Sequence, residues 1–203
     1  MRSELKGSEV TQLIDNYDSD ITDSEYTHNW VRRHECIYKL QLSVLYHRKR
    51  ERYFDMLERL LQTLVTASAS GGVALLLAAQ TDRSFALYFV AAAAVVSMFQ
   101  LAYAPAARAR QHAQLATDYQ SLWSESIVLG EVWSAQTCDT VQSKWLRIGT
   151  SSPPQLGALV VDCENEIAIA YGSRENVRVI PVYMHALKHL WNWNTTTLKK
   201  SPS

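Results

Sequence analysis

The histidine side chains are the residues of this chain with the spacing closest to a catalytic or metal-binding motif. His185 and His189 are four residues apart, which places them on one face of a helix, where two imidazoles can share a metal ion. No glutamate lies between them and no third ligand is evident, so a surface pair is the simpler interpretation. The sequence has no Gly-rich phosphate loop and no GxSxG nucleophile motif. We therefore predict no enzymatic activity, no catalytic residue, no metal site and no cofactor.

The three cysteines point to a structural rather than a chemical role. Cys36, Cys138 and Cys163 are too few and too widely spaced for a metal cluster or a disulfide framework, so a reducing compartment fits best. Cys163 lies on an apolar helical stripe. We expect it to be a core residue and not a thiolate nucleophile.

Basic side chains form a second group with chemical potential. Most of them flank two apolar segments, where positive charge and anionic lipid headgroups attract each other, and this needs no further function. The alternative is that they hold an anionic ligand such as a nucleotide. Arg32 and Arg33 favour that alternative because they lie far enough from the apolar segments to be clear of headgroups. The ligand-binding candidates are Arg32, Arg33, Arg48, Lys49, Arg50, Arg52, Arg108 and Arg110.

Two uncharged segments, residues 60–79 and 85–104, dominate the chain, although it carries equal numbers of acidic and basic residues, 20 of each. About 20 helical residues cross the hydrocarbon core of a bilayer, so each segment is long enough to span it. The connector 80–84 is so short that the two must form an antiparallel hairpin. This pattern excludes an all-β protein, a disordered protein and a secreted disulfide scaffold. The remaining alternative is a soluble four-helix bundle with two unusually apolar helices.

The distribution of lysine and arginine sets the orientation of this hairpin. Five bases precede the first segment within a dozen residues, Arg108 and Arg110 follow the second, and the connector contains only Arg83. Because basic residues near span ends remain on the cytoplasmic side, both termini are predicted to be cytoplasmic and the connector external. The protein is thus predicted to be a multi-pass protein of the plasma membrane.

Small and hydroxyl-bearing residues share one face of the first segment. In lipid, helices associate through close packing of small residues and through interhelical hydrogen bonds, so packing within the hairpin explains this face. The alternative is that several hairpins assemble and the face lines a conduit. The pore-lining candidates are Thr63, Thr66, Ser70, Ala74 and Leu77.

The remaining residues predict helices on the cytoplasmic side. Residues 1–29 are rich in acids and predict a flexible tail, whereas 30–59 lack glycine and proline and predict a helix that enters the first span. Residues 105–149 predict one long helix, with a kink at Pro105 and apolar residues at spacings of three and four. The predicted fold class is all-α: a two-transmembrane helical hairpin continued into long cytoplasmic helices that form a helical bundle.

The last segment, residues 150–203, predicts further helices and a tail. A helix is expected to begin at Pro153 and Pro154, with a serine as its N-cap, and to end at Gly172. Residues 177–180 are expected to be briefly extended. A final helix is predicted over 181–194, where tryptophans and leucines recur at helical spacing.

Taken together, these elements resemble the SLATT family, two-transmembrane effectors associated with SMODS nucleotidyltransferases and SLOG nucleotide sensors. The resemblance is carried by the charged helix 46–54 that runs into the first span, and by the short loop, second span and long helix through 113–125. It is completed by the proline-led helix with Cys163-Glu-Asn-Glu166 and Tyr171-Gly172. The match covers residues 30–193.

This resemblance implies a role in bacterial anti-phage defence. A paired nucleotidyltransferase would make a nucleotide or oligonucleotide second messenger, and this protein, as a homo-oligomer, would open a pore in the inner membrane and halt the infected cell. The implied partners are other copies of the chain, the lipid bilayer and that messenger. The alternative function is a non-conducting, membrane-anchored interaction module that recruits a cytoplasmic partner.

Overall fold

The computed structural model of the chain describes residues 7–77, 83–130 and 132–200, and these are mainly helical. The all-α fold class predicted from the sequence is confirmed. Within the described residues the only β-type pairing is a single bridge between Arg178 and Lys200, next to the stretch predicted to be extended. The α-helices are α1 (Gly7–Leu77), α2 (Arg83–Tyr103), α3 (Pro105–Val128), α4 (Ala135–Gly149), α5 (Gly157–Ala170) and α6 (Val182–Ala186), and a 3₁₀ turn spans Arg174–Asn176.

The chain divides into two compact units, each assembled from distant parts of the sequence. The first unit comprises Met1–Gln41 and Asp118–Ser152, and the second comprises Leu42–Thr117 and Pro153–Ser203. The buried residues of the first unit include Cys36, Leu40, Tyr119, Leu122, Trp133, Cys138 and Val141.

A cluster of buried side chains holds α1 against α5 in the second unit. Tyr46, Leu159 and Cys163 form this cluster, and half-buried leucines and a valine pack around it. Cys163 is fully buried, as the apolar stripe predicts, and burial raises the pKa of its thiol to about 12. It is therefore protonated at neutral pH and serves as a core residue.

Helix α1 begins far earlier than the sequence analysis predicts. It starts at Gly7, so residues 7–29 are helical, and the predicted flexible tail is corrected to the first turns of α1. This stretch contains no proline, and its few apolar residues keep helical spacing, so nothing in it ends the helix. Residues 1–6 lie outside the described residues.

Residues 60–77 and 85–103 of the two apolar segments are helical, in α1 and in α2, and residues 78–82, which include the first part of the connector, lie outside the described residues. Among the residues that the structure describes, one helical stretch, Leu87–Val128, is long and apolar enough to cross a membrane by length and composition. Only 6% of its apolar window is buried, which is unlike the core helix of a soluble protein. Gly71 of α1 faces the ring of Phe89 on α2, where an added Cβ would lie 3.8 Å from the ring.

The break between α2 and α3 follows from one dipeptide. Ala104 has a φ of 46°, in the left-handed region that residues with a Cβ rarely adopt, and Pro105 follows as the first residue of α3. Proline disfavours helical geometry in the residue before it but tolerates the first turn of a helix, where its missing N–H is not needed. The kink predicted at Pro105 is therefore a helix break at Ala104.

The single long helix predicted over 105–149 is wrong, because it is divided into α3 and α4. Gly130 has a φ of 82°, which lets the chain turn at low cost after α3 ends at Val128. Ser134 then caps α4: its hydroxyl accepts a hydrogen bond of 3.1 Å from the backbone N–H of Thr137. Both signals are present in the sequence and together outweigh the apolar spacing that continues across them.

The predicted boundaries of α5 are half right. The helix ends at Ala170 and Gly172 has a φ of 75°, as the sequence predicts. Its start is wrong: the helix begins at Gly157 instead of at the two prolines. The reason is tertiary, because the Leu156 N–H donates to the Tyr46 hydroxyl at 3.1 Å and fixes the entry to the helix.

The final helix predicted over 181–194 is also wrong. Only Val182–Ala186 forms α6, and turns and irregular backbone follow. The carbonyl of His189 accepts a hydrogen bond from Arg50 on α1 at 2.6 Å, and the Asn192 side chain accepts one from the Gly157 N–H at 3.1 Å. These contacts with other elements favour an irregular path over continued helix.

Candidate functional site

A groove follows the hydroxyl-bearing face of α1 in the second unit. Its volume is about 580 Å³ and it is open along one side. Three of the five pore-lining candidates predicted from the sequence lie in it, because residues three and four apart share one face of a helix. Of the other two, Ala74 is exposed but is not in the groove lining, and the side chain of Leu77 lies outside the described residues. The groove is lined by Glu58, Arg59, Gln62, Thr63, Thr66, Ala67 and Ser70.

The threonine hydroxyls of this groove already donate to acceptors within α1. Thr63 Oγ1 donates to the carbonyl of Arg59 at 2.8 Å, and Thr66 Oγ1 donates to that of Gln62 at 2.9 Å. Since each hydroxyl proton is used internally, the oxygen lone pairs face outward. The groove thus presents hydrogen-bond acceptors, which suit water, cations or a donor from another helix.

A polar clamp joins α2 to the start of the groove. Gln100 Nε2 donates to Glu58 Oε1 at 2.6 Å and to Gln62 Oε1 at 3.2 Å. Within the described part of the chain, Glu58 Oε2 is buried and has no hydrogen-bond partner. The sequence analysis did not single out Gln100, because a lone amide in an apolar segment does not reveal its partner some 40 residues away.

Much of the surface of α2 is apolar and exposed. Its large side chains lie in the open on a helix that contains no charged residue after Arg83. A patch of this extent on a water-facing protein surface marks a membrane or protein contact. The exposed residues include Phe85, Leu87, Tyr88, Phe89, Val90, Val95, Met98, Phe99 and Leu101.

Most side chains of the basic run on α1 are already paired within the second unit. The basic run comprises Arg48, Lys49, Arg50 and Arg52. Lys49 Nζ donates to Asp162 Oδ2 at 2.7 Å and also pairs with Glu166 on α5. Burial opposes the charge of this ammonium group, but the two carboxylates outweigh burial and raise the pKa of Lys49. Arg48 pairs with Glu51 one turn along its own helix at 3.0 Å. Neither side chain is held ready for an external anion.

Arg50 is also occupied, in this case by aromatic rings and a carbonyl. Its guanidinium lies 4.5 Å above the ring of Phe54 and donates to the backbone oxygen of His189. The imidazole of His189 stacks parallel on Tyr53 with 4.5 Å between ring centroids. Arg50 and Tyr53 therefore hold the C-terminal segment against α1.

The remaining basic candidates of the second unit, Arg52, Arg108 and Arg110, are exposed. Arg108 lies 4.4 Å above the ring of Tyr103 and donates to its carbonyl at 2.9 Å, which fixes the guanidinium at the start of α3. These three arginines, and not the run as a whole, are the cations in this unit most open to an anionic ligand.

In the first unit, the two predicted arginines have internal partners as well. Arg32 pairs with Asp139 of α4. Arg33 lies with its guanidinium 5.8 Å from the centre of the Trp133 ring. Both contacts connect α1 to the α4 region, so they account for these side chains without a ligand.

A cavity that the sequence analysis missed lies between α3 and α4 in the first unit. Its volume is about 310 Å³, and its lining includes an ion pair between Lys144 and Glu125 at 2.9 Å. Hydroxyl and amide side chains outnumber the apolar ones in its lining. The residues that line it are Leu122, Glu125, Ser126, Leu129, Gln136, Thr137, Thr140, Val141 and Lys144.

Two buried histidines meet between α1 and α3 in the second unit. His47 Nδ1 and His112 Nδ1 are 2.8 Å apart, so one imidazole donates and the other accepts. Burial lowers the pKa of His47 to about 3 and that of His112 to about 4, and both rings are therefore neutral at pH 7. Nothing in the sequence pairs His47 with a residue 65 positions later.

The histidine pair considered from the sequence, His185 and His189, is not assembled as a metal site. His189 stacks on Tyr53, whereas His185 Nε2 lies 3.4 Å from Asp162 Oδ1. Among the residues that the structure describes, no group of three or more potential metal ligands is present. All three cysteines are buried and free.

No protein-family model matches the chain, and neither the curated proteins nor the solved structures contain a match to it.

Proposed function

We propose that the protein is an oligomeric inner-membrane pore-forming effector of a nucleotide-signalling anti-phage system. The two apolar helices cross the bilayer as a hairpin with both termini in the cytoplasm. Several hairpins assemble, and the hydroxyl face of α1 lines the conduit. A nucleotide or oligonucleotide bound to the cytoplasmic helices gates it, as the resemblance to the SLATT family implies.

The observation that carries the proposal is the groove on α1. It combines outward hydroxyl oxygens, a glutamate and an arginine on a helix segment with no charge after Arg59. In hydrocarbon such a face is unfavourable, because its charged side chains and hydroxyl oxygens lose contact with water. Lining a water-filled path or packing against another copy removes this cost, whereas the apolar side of α2 faces lipid at no cost.

The gating step follows from the continuity of the helix elements within the second unit. Arg52 and the groove lie on one unbroken stretch of α1, while Arg108 and Arg110 open α3 directly after α2. An anion held between these exposed arginines would favour one packing of α1 on α3. Because the same helices continue into the hairpin, a change in that packing moves the groove-lining residues.

A second candidate function is a membrane-anchored module that recruits a cytoplasmic partner without conducting ions. The observation in its favour is the turn between α3 and α4 in the first unit, beside the cavity. Large apolar side chains are exposed there, as at many protein contact sites. They are Ile127, Val128, Leu129 and Val132.

Membrane depolarisation during expression in bacteria distinguishes the two functions. We expect the wild-type chain to depolarise cells stained with a potential-sensitive dye, and Thr66→Leu with Ser70→Leu to remove the effect by filling the groove. Ala69→Leu is the matched control, because Ala69 is exposed on the same helix but outside the groove lining. Depolarisation by the double variant at equal expression would contradict the pore assignment and favour the anchor.

The ligand assignment is tested on the purified protein. Small molecules that co-purify with it are extracted and identified by mass spectrometry. The triple variant Arg52→Glu, Arg108→Glu and Arg110→Glu is expected to lose any bound nucleotide. The control is Arg147→Glu, an exposed position at the end of α4. Retention of nucleotide by the triple variant would exclude these arginines as its site.

A further inference from the structure

The C-terminal segment, residues 187–200, has two large apolar side chains that are exposed where the chain reverses direction. Leu190 and Trp191 are 58% and 66% exposed. In contrast, the flanking residue Trp193 is half-buried and meets Tyr183 edge to face at 5.5 Å. We call Leu190 and Trp191 the C-terminal tip.

The contacts of this segment with its neighbours give its position along α1. Lys188 shares Asp162 with Lys49, and the next residue, His189, contacts Arg50 and Tyr53, which are closer to the apolar part of α1. After the tip the chain runs back.

The residues after the tip lie beside a part of α1 that is further from the apolar segment. Asn192 accepts a hydrogen bond from Gly157, and the neighbouring residue Leu156 contacts Tyr46, seven residues before Tyr53. The C-terminal tip is therefore the part of this segment that extends furthest along α1 toward residue 60.

The distance along α1 from Tyr53, near the tip, to residue 60, where the apolar segment begins, is short. From Tyr53 to residue 60 there are seven residues, which is about 10 Å of helix at 1.5 Å per residue. The headgroup layer on each side of the hydrocarbon core is about 5–7 Å thick. A tryptophan side chain is long enough to cover most of the distance that remains between the level of Tyr53 and the headgroup layer.

The chemistry of the tip fits that environment. Tryptophan concentrates at membrane interfaces, because its ring is apolar and its indole N–H needs a polar partner. One exposed arginine, Arg59, lies on α1 between the level of the tip and the first apolar residues, where anionic headgroups attract it.

We propose that the C-terminal tip is an interfacial anchor, with Trp191 and Leu190 inserted among the lipid headgroups on the cytoplasmic face of the membrane. This rests on the membrane placement in the proposed function, but not on conduction or on a nucleotide. The anchor holds the C-terminal segment at a fixed depth in the membrane interface. Because that segment contacts Arg50 and Tyr53, the anchor also fixes the depth of the part of α1 next to the apolar segment.

Quenching of tryptophan fluorescence by brominated lipid tests the anchor in the full-length protein. The chain has six tryptophans, and none of them lies in the two apolar segments. The protein is reconstituted in nanodiscs of phosphatidylcholine and phosphatidylglycerol, with or without bromine near the headgroup end of the acyl chains. We expect bromine to quench the wild type and this quenching to be lost in Trp191→Phe.

Trp193→Phe is the matched control, since its side chain turns back toward Tyr183, and it should retain the quenching of the wild type. Equal quenching in Trp191→Phe and wild type would overturn the anchor. The anchor would also be overturned if bromine did not quench wild-type protein that is embedded in the disc. This includes the case in which Trp191 is shielded from acrylamide only when the chain associates with itself. If instead the chain stays monodisperse in buffer without amphiphile and does not enter discs, the membrane placement itself fails.

Discussion

His47 Nδ1 and His112 Nδ1 share one hydrogen bond of 2.8 Å inside the second unit, where α1 crosses α3. Phe54, also on α1, stacks on His112 with 5.6 Å between ring centroids and 10° between planes. The pair connects the segment that carries the basic run to the helix that follows α2. It is thus a polar contact whose state depends on pH.

Acid is expected to weaken this contact. The pKa values of both histidines are lowered in the folded protein, to about 3 and about 4, from the ordinary value of 6.5. The unfolded chain therefore binds protons first, so the stabilisation is fully present above pH 6.5 and is lost progressively as the pH falls toward 4. At pH 5 the loss is about 2 kcal/mol per histidine.

Thermal unfolding in detergent micelles between pH 7.5 and 5 checks this prediction. The apparent Tm of the wild type should fall by several degrees, whereas His112→Gln should show a shallower dependence on pH. His185→Gln, at an exposed position, should retain the slope of the wild type. Identical slopes in His112→Gln and wild type would show that the buried pair does not control the acid response.

The clamp between Gln100 and Glu58 should stabilise the contact of α1 with α2. Gln100→Leu removes the donor of a partly buried carboxylate that already has one oxygen without a partner. The expected cost is about 1–3 kcal/mol, which corresponds to a decrease in apparent Tm of about 3–10 °C. Ser97→Ala is the control on the same helix, since Ser97 donates only to the Ala93 carbonyl of α2. Equal Tm values for the two variants would contradict the clamp.

Gly157 is the point at which the C-terminal segment closes on α5. A Cβ at this position would lie 2.7 Å from the carbonyl oxygen of Trp193, which is backbone and cannot rotate away. Gly157→Ala should therefore destabilise the protein by about 1–3 kcal/mol and expose residues 187–200 to limited proteolysis.

Gly149→Ala is the matched control. Its added Cβ would lie 3.5 Å from the Tyr119 hydroxyl, an ordinary contact, and the position is the last residue of α4. We expect little change in stability or in cleavage. A Gly157→Ala protein as resistant to protease as wild type would show that the segment has another stable position.

The sequence predicts those parts of the fold that depend on local signals. Uncharged runs give the helices of the two apolar segments, and Gly172 gives the end of α5. The break at Gly130 and the cap at Ser134 are equally local, but the apolar spacing that continues across them led to a single predicted helix. The start of α5 and the short length of α6 are different, because these boundaries depend on contacts with Tyr46 and Arg50.

The candidate site is predictable to a similar extent. Periodicity alone places Thr63, Thr66 and Ser70 on one face, and they do line one groove. It cannot show that Lys49 is paired with Asp162 and Glu166, because ion pairs between distant helices leave no local pattern. The same limit hides the partner of Gln100 and the meeting of His47 with His112.

Every functional proposal above depends on the proposed hairpin topology, and labelling of intact cells tests that topology most directly. Single cysteines are placed at Ser84, the last residue of the connector, and at Asn194, in the C-terminal segment. Both positions are exposed, whereas the three native cysteines are buried. A membrane-impermeant maleimide should label Ser84→Cys from outside and Asn194→Cys only after lysis. Labelling of Asn194→Cys in intact cells, or protection of Ser84→Cys until lysis, would contradict the predicted orientation.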